Sequence, residues 1–560
     1  MAKKYKVRWI VLVVAAAFAF LMCVVFHEMR RESAEMIAFI EKEGESELLL
    51  SIYPEDNVGK GYITTPFAGN GENQYYLFVP EWGEQISFSK DIDLDGERVS
   101  KEEKISLDAE SFLVTCEEKE YWIEIVHLSR IPTLYVNTET GTLNFLKQDR
   151  QNEELIEVYA VDTEGKLEEQ AAGRVHCRGN TSFDATDKKS YTIELDADTD
   201  LYQMGASKKW VLLANAFDST SIRNYLTFYM AKQMDMYGTP DAQWVDVFAN
   251  GEYQGIYLLC EKIEIDSERL NFHDLETEME EKNDLEAVKK SNFYIISSDG
   301  QKVIQKGYQL EHEPVDVSGA YLLELEAMPE RYEEEKCGFI SEEGQQVAIK
   351  CPQYASVKEV KYISELYQQM EDALYQKNSP LEDALLEFVD LESFTKKYLI
   401  EEVSKNMDAS ISSLYLYKPE DAVSNKLFAG PVWDYDRAYG NMGKLDDNLD
   451  LRTPEDMYVR DSYYGTPFWA YFCLNPNFQE SVRRTYEEEM FPIIEECIQK
   501  KIPQWSQIIK DSAYADLIRW PNRQEEVVAF QNLSYEEKVE KMIEFLDLRS
   551  KYLKKEWGCE

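Results

Sequence analysis

The sequence predicts an α+β fold in which strands come first and helices later. Short runs that alternate apolar and polar residues, separated by turn residues, dominate the first part of the chain, and a two-residue alternation is typical of half-buried strands. After Pro352 the apolar residues recur instead with the 3.6-residue period of helices. This order predicts a body with two lobes, a β-rich lobe followed by a helical one.

The first 26 residues have the composition of a membrane anchor. Four basic residues precede an unbroken apolar stretch over 10–26, which is at the short end of the length that spans a bilayer. The residues that follow are large or charged, which disfavours a cleaved signal peptide, and Phe20-Leu-Met before Cys23 is too large for lipoprotein processing, so an uncleaved helix fits better. The basic flank predicts a cytoplasmic tail at 1–9 and a body outside the cytoplasmic membrane.

The next segments are predicted to be a stalk and a small β-rich module. Residues 27–46 contain a charged helical pattern, which we interpret as a stalk. Residues 47–130 contain short apolar alternations such as 74–79 between turn residues, and these predict a small β-sandwich. A second β-rich region opens at Ile131 and continues to about Glu264.

The body, 131–557, continues with charged and then helical segments. The stretch 266–290 is highly charged and is predicted to be a loop or an exposed helix, and a strand returns at 320–326. Helical periodicity dominates from there to the end of the chain. The predicted helices are Val357–Tyr375, Leu381–Lys405, Gln479–Lys500 and Tyr535–Trp557.

Composition excludes some classes of function. The net charge of −46 and the isoelectric point near 4.5 argue against a nucleic-acid partner, because the phosphate backbone would be repelled. The 13% aromatic content indicates a packed chain and not a disordered acidic one. The nine cysteines are scattered singly without a CxxC pair, which disfavours a zinc site. An exported chain can carry disulfides, but cysteines inside apolar strand-like runs, such as Cys260, fit buried free thiols better.

An acidic pair late in the chain is the strongest chemical signal. Asp434 and Asp436 alternate with Trp433 and Tyr435, so in an extended segment both carboxylates would point to one side while the aromatic side chains pack on the other. Mg²⁺ prefers one or two such carboxylates together with phosphate oxygens. A further carboxylate, Asp408, could act on a substrate hydroxyl if the fold brings it close. Two solvated turn aspartates are the alternative interpretation.

Two further segments contain groups suited to phosphate, and a third ends in a glutamate. Arg178 precedes a Gly-Asn-Thr-Ser turn, and Lys188 and Lys189 precede an alternating strand. A guanidinium, exposed backbone N–H groups and a lysine are together suited to nucleotide phosphates, although a hairpin with a solvated basic rim has the same pattern. Glu261, at the end of an apolar strand, is either a nucleotide contact or half of a strand-end ion pair.

Taken in order, these motifs resemble the CotH kinase family, the group of the bacterial spore-coat protein kinase. The resemblance extends from about Ile131 to about Tyr552, roughly three quarters of the chain. Each motif is only moderately specific alone, whereas six in the family's order are highly specific. The motifs are Arg178-Gly-Asn-Thr-Ser, Lys188-Lys189-Ser-Tyr, Lys209-Trp-Val-Leu-Leu-Ala-Asn, Ile222-Arg-Asn, Asn250-Gly-Glu-Tyr-Gln-Gly-Ile-Tyr-Leu-Leu and Trp433-Asp-Tyr-Asp.

The resemblance implies an atypical bilobal protein-kinase fold that uses ATP and Mg²⁺, or Mn²⁺ in its place. It implies that Asp408 is the catalytic aspartate that orients the acceptor hydroxyl. The metal ligands would then be Asp434 and Asp436, with Asp436 the first choice. The remaining implied nucleotide contacts are Lys189 or, less favoured, Lys188, together with Arg178. The chain departs from ordinary kinases at Ser413, where they have a metal-binding Asn, and in lacking a glycine-rich loop.

We therefore expect a membrane-anchored kinase that phosphorylates Ser or Thr of surface or spore-coat-type proteins. Its acidic surface is expected to attract protein substrates with basic, Ser/Lys-rich tails. Two alternatives remain open: a surface binding or adhesion protein that retains the fold without turnover, and a transferase of another group such as AMP.

Overall fold

The described part of the chain begins at Ala38 and is close to continuous from Gln74 onward in a computed structural model. The predicted tail and anchor, 1–26, lie outside it. Among the described residues, no helix is both long enough and apolar enough to cross a membrane. The described residues are 38–41, 62–64, 67–69, 74–88, 91–100, 103–116, 119–290, 294–296, 305–375, 384–409, 411–444, 449–461, 467–521 and 530–559.

The first ten described strands form two sheets that share one hydrophobic core. They are β1 (Ala38–Glu41), β2 (Tyr62–Thr64), β3 (Phe67–Ala68), β4 (Gln74–Val79), β5 (Gln85–Phe88), β6 (Ile92–Leu94), β7 (Glu97–Val99), β8 (Ile105–Ser106), β9 (Ser111–Cys116) and β10 (Lys119–His127). The strand orders are β2-β1-β5-β8 and β3-β4-β10-β9-β6-β7. Two sheets around one core agree with the predicted sandwich.

Strand β1 differs from the helical stalk predicted over 27–46. It pairs antiparallel with β5, so that Phe39 lies opposite Ser87 and Ile40 opposite Ile86. Aromatic and β-branched residues such as these favour a strand, and tertiary pairing overrides a local helical pattern. The rest of the predicted stalk lies outside the described residues.

The next seven strands close into a barrel. They are β11 (Thr133–Thr138), β12 (Glu153–Val161), β13 (Leu167–Arg178), β14 (Ser190–Asp200), β15 (Ala206–Leu213), β16 (Ala242–Ala249) and β17 (Glu252–Glu261). The order is β11-β12-β13-β14-β15-β17-β16, and β16 pairs parallel with β11 to close it. Inward-facing apolar residues such as Ile193, Trp210 and Tyr257 fill the interior. These strands agree with the predicted β-rich region from Ile131 to about Glu264.

A seven-stranded sheet and most of the helices form the rest of the body. The sheet has the order β18-β19-β21-β22-β20-β23-β24, with β18 (Tyr294–Ile296), β19 (Gln305–Gly307), β20 (Tyr321–Glu326), β21 (Gly338–Ile340), β22 (Gln346–Cys351), β23 (Leu414–Lys418) and β24 (Phe428–Ala429). The helices are α1 (Thr181–Ala185), α2 (Arg223–Gln233), α3 (Leu275–Lys282), α4 (Leu285–Lys290), α5 (Pro329–Glu334), α6 (Val357–Tyr375), α7 (Leu391–Ser404), α8 (Phe468–Phe472), α9 (Pro476–Thr485), α10 (Phe491–Glu496), α11 (Ile502–Arg519) and α12 (Tyr535–Glu556). Two π-helical turns, Tyr486–Met490 and Cys497–Lys501, join α9, α10 and α11.

The predicted α+β class is confirmed, and α6 and α12 have the predicted bounds to within one residue. The helix predicted over Gln479–Lys500 is wrong in its bounds, because the helical segments there follow one another from Pro476 to Arg519. Helix α6 spans the predicted residues, whereas α7 begins later than predicted, at Leu391. It begins there because the Asp390 side chain accepts the N–H of Ser393 and so caps the helix. The second half is less purely helical than predicted, because β23 and β24 are too short for their alternation to show in the sequence. The seven cysteines whose side chains are described are free.

Candidate active site

A cleft of about 1260 Å³ lies between the outer face of the barrel and the seven-stranded sheet with its helices. One wall comes from β13, β14 and β15. The other comes from β20, β22, α5 and the segments around residues 408 and 434. Asp408, Asp434 and Asp436 all line this cleft, as does Arg178.

The barrel wall of the cleft is polar because alternate residues of its strands face outward. On β14, Ser190 and Thr192 line the cleft, whereas Tyr191 and Ile193 pack inside the barrel. Arg178 lies opposite Ser190 in the strand pairing, and paired residues share a face. This face of the barrel therefore projects polar groups into the cleft.

The three aspartates come from two loops that the fold brings together. Asp408 lies in the turn after α7, where its carbonyl accepts the N–H groups of Ile411 at 2.9 Å and Ser412 at 3.2 Å. Asp434 and Asp436 lie in the segment after β24. Burial, followed by the negative charge of Asp434, raises the pKa of Asp408 to about 7 and that of Asp436 to about 8. The three carboxylates are therefore within electrostatic reach of one another.

Of the three aspartates, Asp434 has the most exposed side chain. Its side chain is exposed in the cleft, but protein surrounds it closely enough for burial to raise its pKa. The charge of Arg178 and a hydrogen bond with the Ser413 side chain oppose that rise in pKa. Ser413 stands at the position where ordinary kinases have a metal-binding Asn. Its hydrogen bond to Asp434 directs the hydroxyl at a predicted metal ligand.

Two arginines are held beside the carboxylates by aromatic rings. The guanidinium carbon of Arg178 lies 4.9 Å from the ring centroid of Trp433. That of Arg437 lies 4.1 Å from the ring centroid of Phe217. Stacking of a guanidinium on a ring is favourable and leaves its N–H groups available to other partners. Both arginines line the cleft, where their charges lower the pKa of Asp434.

The segment that contains the acidic pair is irregular and not extended as predicted. Trp433 and Tyr435 are buried, as expected, but Asp434 adopts a left-handed conformation with φ of +70°. A non-glycine residue in that region costs about 1–3 kcal/mol and persists only where its surroundings impose it. The main restraint is that the Tyr435 backbone N–H donates to Asn224 Oδ1 at 2.7 Å, in place of a neighbouring strand.

The Tyr435 side chain provides a second restraint on the same segment. Its hydroxyl donates to Glu401 Oε1 at 2.6 Å and accepts from Lys397 Nζ at 3.0 Å. Lys397 and Glu401 also form a buried ion pair of 2.7 Å on α7. Asn224 is itself oriented, since its Nδ2 donates to Asn215 Oδ1 at 2.9 Å. The acidic pair is thus anchored to both α2 and α7.

The residues after the acidic pair are anchored by the same part of the chain. Arg223 Nε donates to the Ala438 carbonyl at 3.0 Å, and its guanidinium pairs with the buried Asp218 at 2.5 Å. Asn441 Nδ2 donates to the Asp436 carbonyl at 2.7 Å. The Ile222-Arg-Asn motif, which the sequence showed only as the start of a helix, therefore positions the aspartates.

The two lysines predicted for the nucleotide phosphates do not line the cleft. Lys188 is buried and forms a 2.7 Å ion pair with Asp516, a residue of α11. Lys189 donates to the carbonyls of Phe183 and Thr186, at the end of α1. The Lys188 ammonium therefore ties its strand to α11, and the Lys189 ammonium ties it to the residues of α1 and the turn that follows.

Glu261 also lies outside the cleft lining. It accepts the N–H of Asp241 at 2.7 Å and lies 3.7 Å from Arg269 Nε. Burial raises its pKa to about 7. Of the two interpretations of Glu261, this geometry fits the strand-end ion pair.

Lys209 and Lys262 bring ammonium groups to the cleft that were not predicted as phosphate ligands. Lys209 Nζ lies 3.1 Å from Glu264 Oε2. Burial opposes the charge on Lys209, but Glu264 outweighs burial and raises its pKa to about 12. The sequence contains a signal for this orientation, because Trp210 is large and apolar and must face the barrel interior, which directs Lys209 outward.

The aspartates fit a hard cation by their chemistry. Carboxylate oxygens are the ligands that Mg²⁺ prefers. Burial first, and then neighbouring negative charge, raises the pKa values of Asp408 and Asp436, and a cation would offset both effects. In the described part of the chain, no group of three or more His, Cys, Asp or Glu side chains is arranged to hold a metal ion. Mg²⁺ bound with a nucleotide needs only one or two carboxylates, since phosphate oxygens and water complete its shell.

Comparison with known families identifies the body. A family model described as CotH kinase protein matches residues 175–553, more than half of the chain. The match begins within β13 and ends within α12, so it includes every aspartate of the cleft. No curated protein matches this chain.

We predict that Tyr435→Phe destabilises the protein by about 1–3 kcal/mol, because Glu401 and Lys397 lose a buried hydrogen-bond partner. Tyr332→Phe is the matched control, since the buried Tyr332 hydroxyl has no hydrogen-bond partner among the described residues. Chemical denaturation of the two variants measures the difference. Equal stabilities would contradict the anchoring role of the Tyr435 hydroxyl.

Proposed function

This chain belongs to the CotH kinase family, and we propose that it transfers the γ-phosphate of Mg-ATP to Ser or Thr of surface or spore-coat-type proteins. The observation that carries the proposal is that Asp408, Asp434 and Asp436 line one cleft together with several lysines and arginines. Phosphoryl transfer requires mainly positioning and charge stabilisation from the protein. Both signs of charge in one cleft meet that requirement.

Asp408 is our proposed catalytic aspartate. It lies in a tight turn at the end of a buried helix, next to the acidic pair. Burial raises its pKa to about 7, and a base whose pKa is near the working pH accepts a proton most effectively. Its role is to orient the acceptor hydroxyl and to receive its proton.

Asp434 and Asp436 are the proposed ligands of Mg²⁺, or of Mn²⁺ in its place. A bound ion of this kind neutralises charge on the nucleotide phosphates. Asp436 remains the first choice because Asn441 holds its backbone at 2.7 Å and its carboxyl is less exposed than that of Asp434. The arginines nearby keep the carboxyl pKa values from rising further.

The proposed phosphate contacts are Arg178 and Lys209. Arg178 lies next to Asp434 and presents a planar fork that suits phosphate oxygens. Lys209 remains charged in the cleft because Glu264 supports it. It takes the role that the sequence suggested for Lys189 or Lys188.

We further propose that the protein is anchored in the cytoplasmic membrane and acts on basic protein substrates. The apolar stretch 10–26 with its basic flank supports a single membrane span with the N-terminus inside and the body outside. The net charge of −46 supports protein substrates with basic, Ser/Lys-rich tails, and disfavours nucleic acid.

The first test uses the full-length protein with Mg²⁺ and ATP labelled separately at the γ- and α-phosphates. We expect γ-label on a lysine-rich test protein or on the chain itself. Asp408→Asn and Asp436→Asn are expected to abolish labelling, while Asp511→Asn, an exposed carboxylate on α11, retains it. Label from the α-phosphate alone would indicate AMP transfer. No label and no thermal shift with ATP would favour a surface binding protein.

A second test separates the two assignments of the phosphate lysine. Lys209→Met is expected to weaken ATP binding, because a charge on the cleft wall is lost, whereas Lys189→Met leaves it largely unchanged. Isothermal titration with ATP, after thermal melting confirms that both variants fold, measures the effect. Weaker binding in Lys189→Met alone would restore the original assignment.

A third test uses the raised carboxyl pKa values. Below about pH 8 the protonated form of Asp436 predominates, and the pKa of Asp434 is also raised, so protons compete with a metal ion for both ligands. Mn²⁺ affinity is therefore expected to rise as the pH increases from about 6 to about 8.5. Electron paramagnetic resonance of free Mn²⁺ measures it. An affinity that does not change with pH in the native protein would contradict these ligands.

A further inference from the structure

We propose that Arg331 is a further catalytic residue, which contacts the transferred phosphoryl group from the acceptor side. The inference rests on the proposed kinase function. No sequence motif indicated this arginine. It reaches the cleft from α5, the short helix that follows β20.

The position of Arg331 is defined by its contacts across the cleft. Its Nη1 donates to Ser412 Oγ at 3.0 Å, in the turn that contains Asp408. Its Nη2 lies 3.5 Å from Thr181 Oγ1, in the turn after Arg178 on the barrel wall. The guanidinium therefore bridges the two walls next to the catalytic turn.

The charges of Arg178, Arg437 and Arg331 all lower the pKa of Asp434. Those of Arg437 and Arg331 also lower the pKa of Asp408. Together with the 3.0 Å contact to Ser412, this places Arg331 beside the turn of the proposed base and within electrostatic reach of Asp434. That is where the group in transfer has to lie.

Helix α5 does not depend on Arg331 for its position, so a structural role explains the placement of this arginine less well than a catalytic one. Helix α5 has other attachments, namely the buried ring of Tyr332 and the 3.3 Å ion pair between Glu334 and Arg150. The nearest acidic partner of Arg331, Glu326, lies 4.0 Å away, and the Arg331 side chain is 26% exposed. A guanidinium that is weakly paired and faces the cleft remains available to an incoming anion.

The chemistry of the step is balanced without another reactant. The acceptor oxygen forms a bond to the γ-phosphorus, while the bond from that phosphorus to the β–γ bridging oxygen breaks and ADP leaves. The acceptor proton passes to Asp408. Negative charge on the equatorial oxygens of the transferred group is what Arg331 stabilises.

The test compares Arg331→Ala with Glu334→Ala, which removes the 3.3 Å ion pair between α5 and Arg150. Arg331→Ala is expected to lower kcat by about 100- to 1,000-fold with little change in the KM for ATP. Added guanidinium is expected to restore part of kcat, and Glu334→Ala is expected to retain it. Aluminium fluoride is expected to tighten ADP binding in the native protein but not in Arg331→Ala.

The outcomes separate the two proposals. Native protein that transfers phosphate, with Arg331→Ala equally active, overturns the role of Arg331 alone. Equal losses in Arg331→Ala and Glu334→Ala also overturn it, because they indicate that α5 is only a structural support. Native protein without transfer overturns the proposed function and this inference together. If Arg331→Ala fails to fold, Arg331→Lys, which retains the charge but not the fork, is measured in the same way.

Discussion

The candidate active site depends on how one buried tyrosine is held. The backbone N–H of Tyr435 donates to Asn224, and its hydroxyl donates to Glu401. These two bonds fix the residues on either side, so Asp434 keeps an unfavourable left-handed backbone and Asp436 faces the cleft. The carboxylates need such a restraint, because burial and mutual repulsion both oppose their charged forms. Stability and chemistry therefore depend on the same contacts.

Different structural elements position the positively charged residues of the cleft and its aspartates. Arg178 and Lys209 lie on strands of a closed barrel, where alternation alone directs them outward. Arg437 follows the acidic pair directly, and Arg331 comes from a short helix between two strands of the other sheet. A rigid wall and separate loops thus supply one charged surface. Scaffolds of rigid elements with functional loops commonly divide their tasks in this way.

Residues whose partners are near in sequence could be predicted, and residues with distant partners could not. The α+β class, helix α6 and the barrel strands follow from periodicity, and the motifs indicated four residues that line one cleft: Arg178, Asp408, Asp434 and Asp436. The sequence predicts Lys188 as a phosphate ligand, but it pairs with Asp516 instead. No local pattern reveals this pair, because Asp516 lies far along the chain on another helix. The helical prediction at β1 is wrong for the same reason, since its partner strand β5 lies well apart in the sequence.

The shared core of the first two sheets has a consequence for how the protein divides into independent units. That core includes Tyr135, Phe248 and Tyr253 of the barrel and Ala515 of α11, and Ser129 exchanges hydrogen bonds with Ser512. The boundary near residue 130 therefore separates regions of sequence but not regions of cooperative folding. A fragment that began there would expose the apolar outer face of the barrel to water, and would be prone to aggregate.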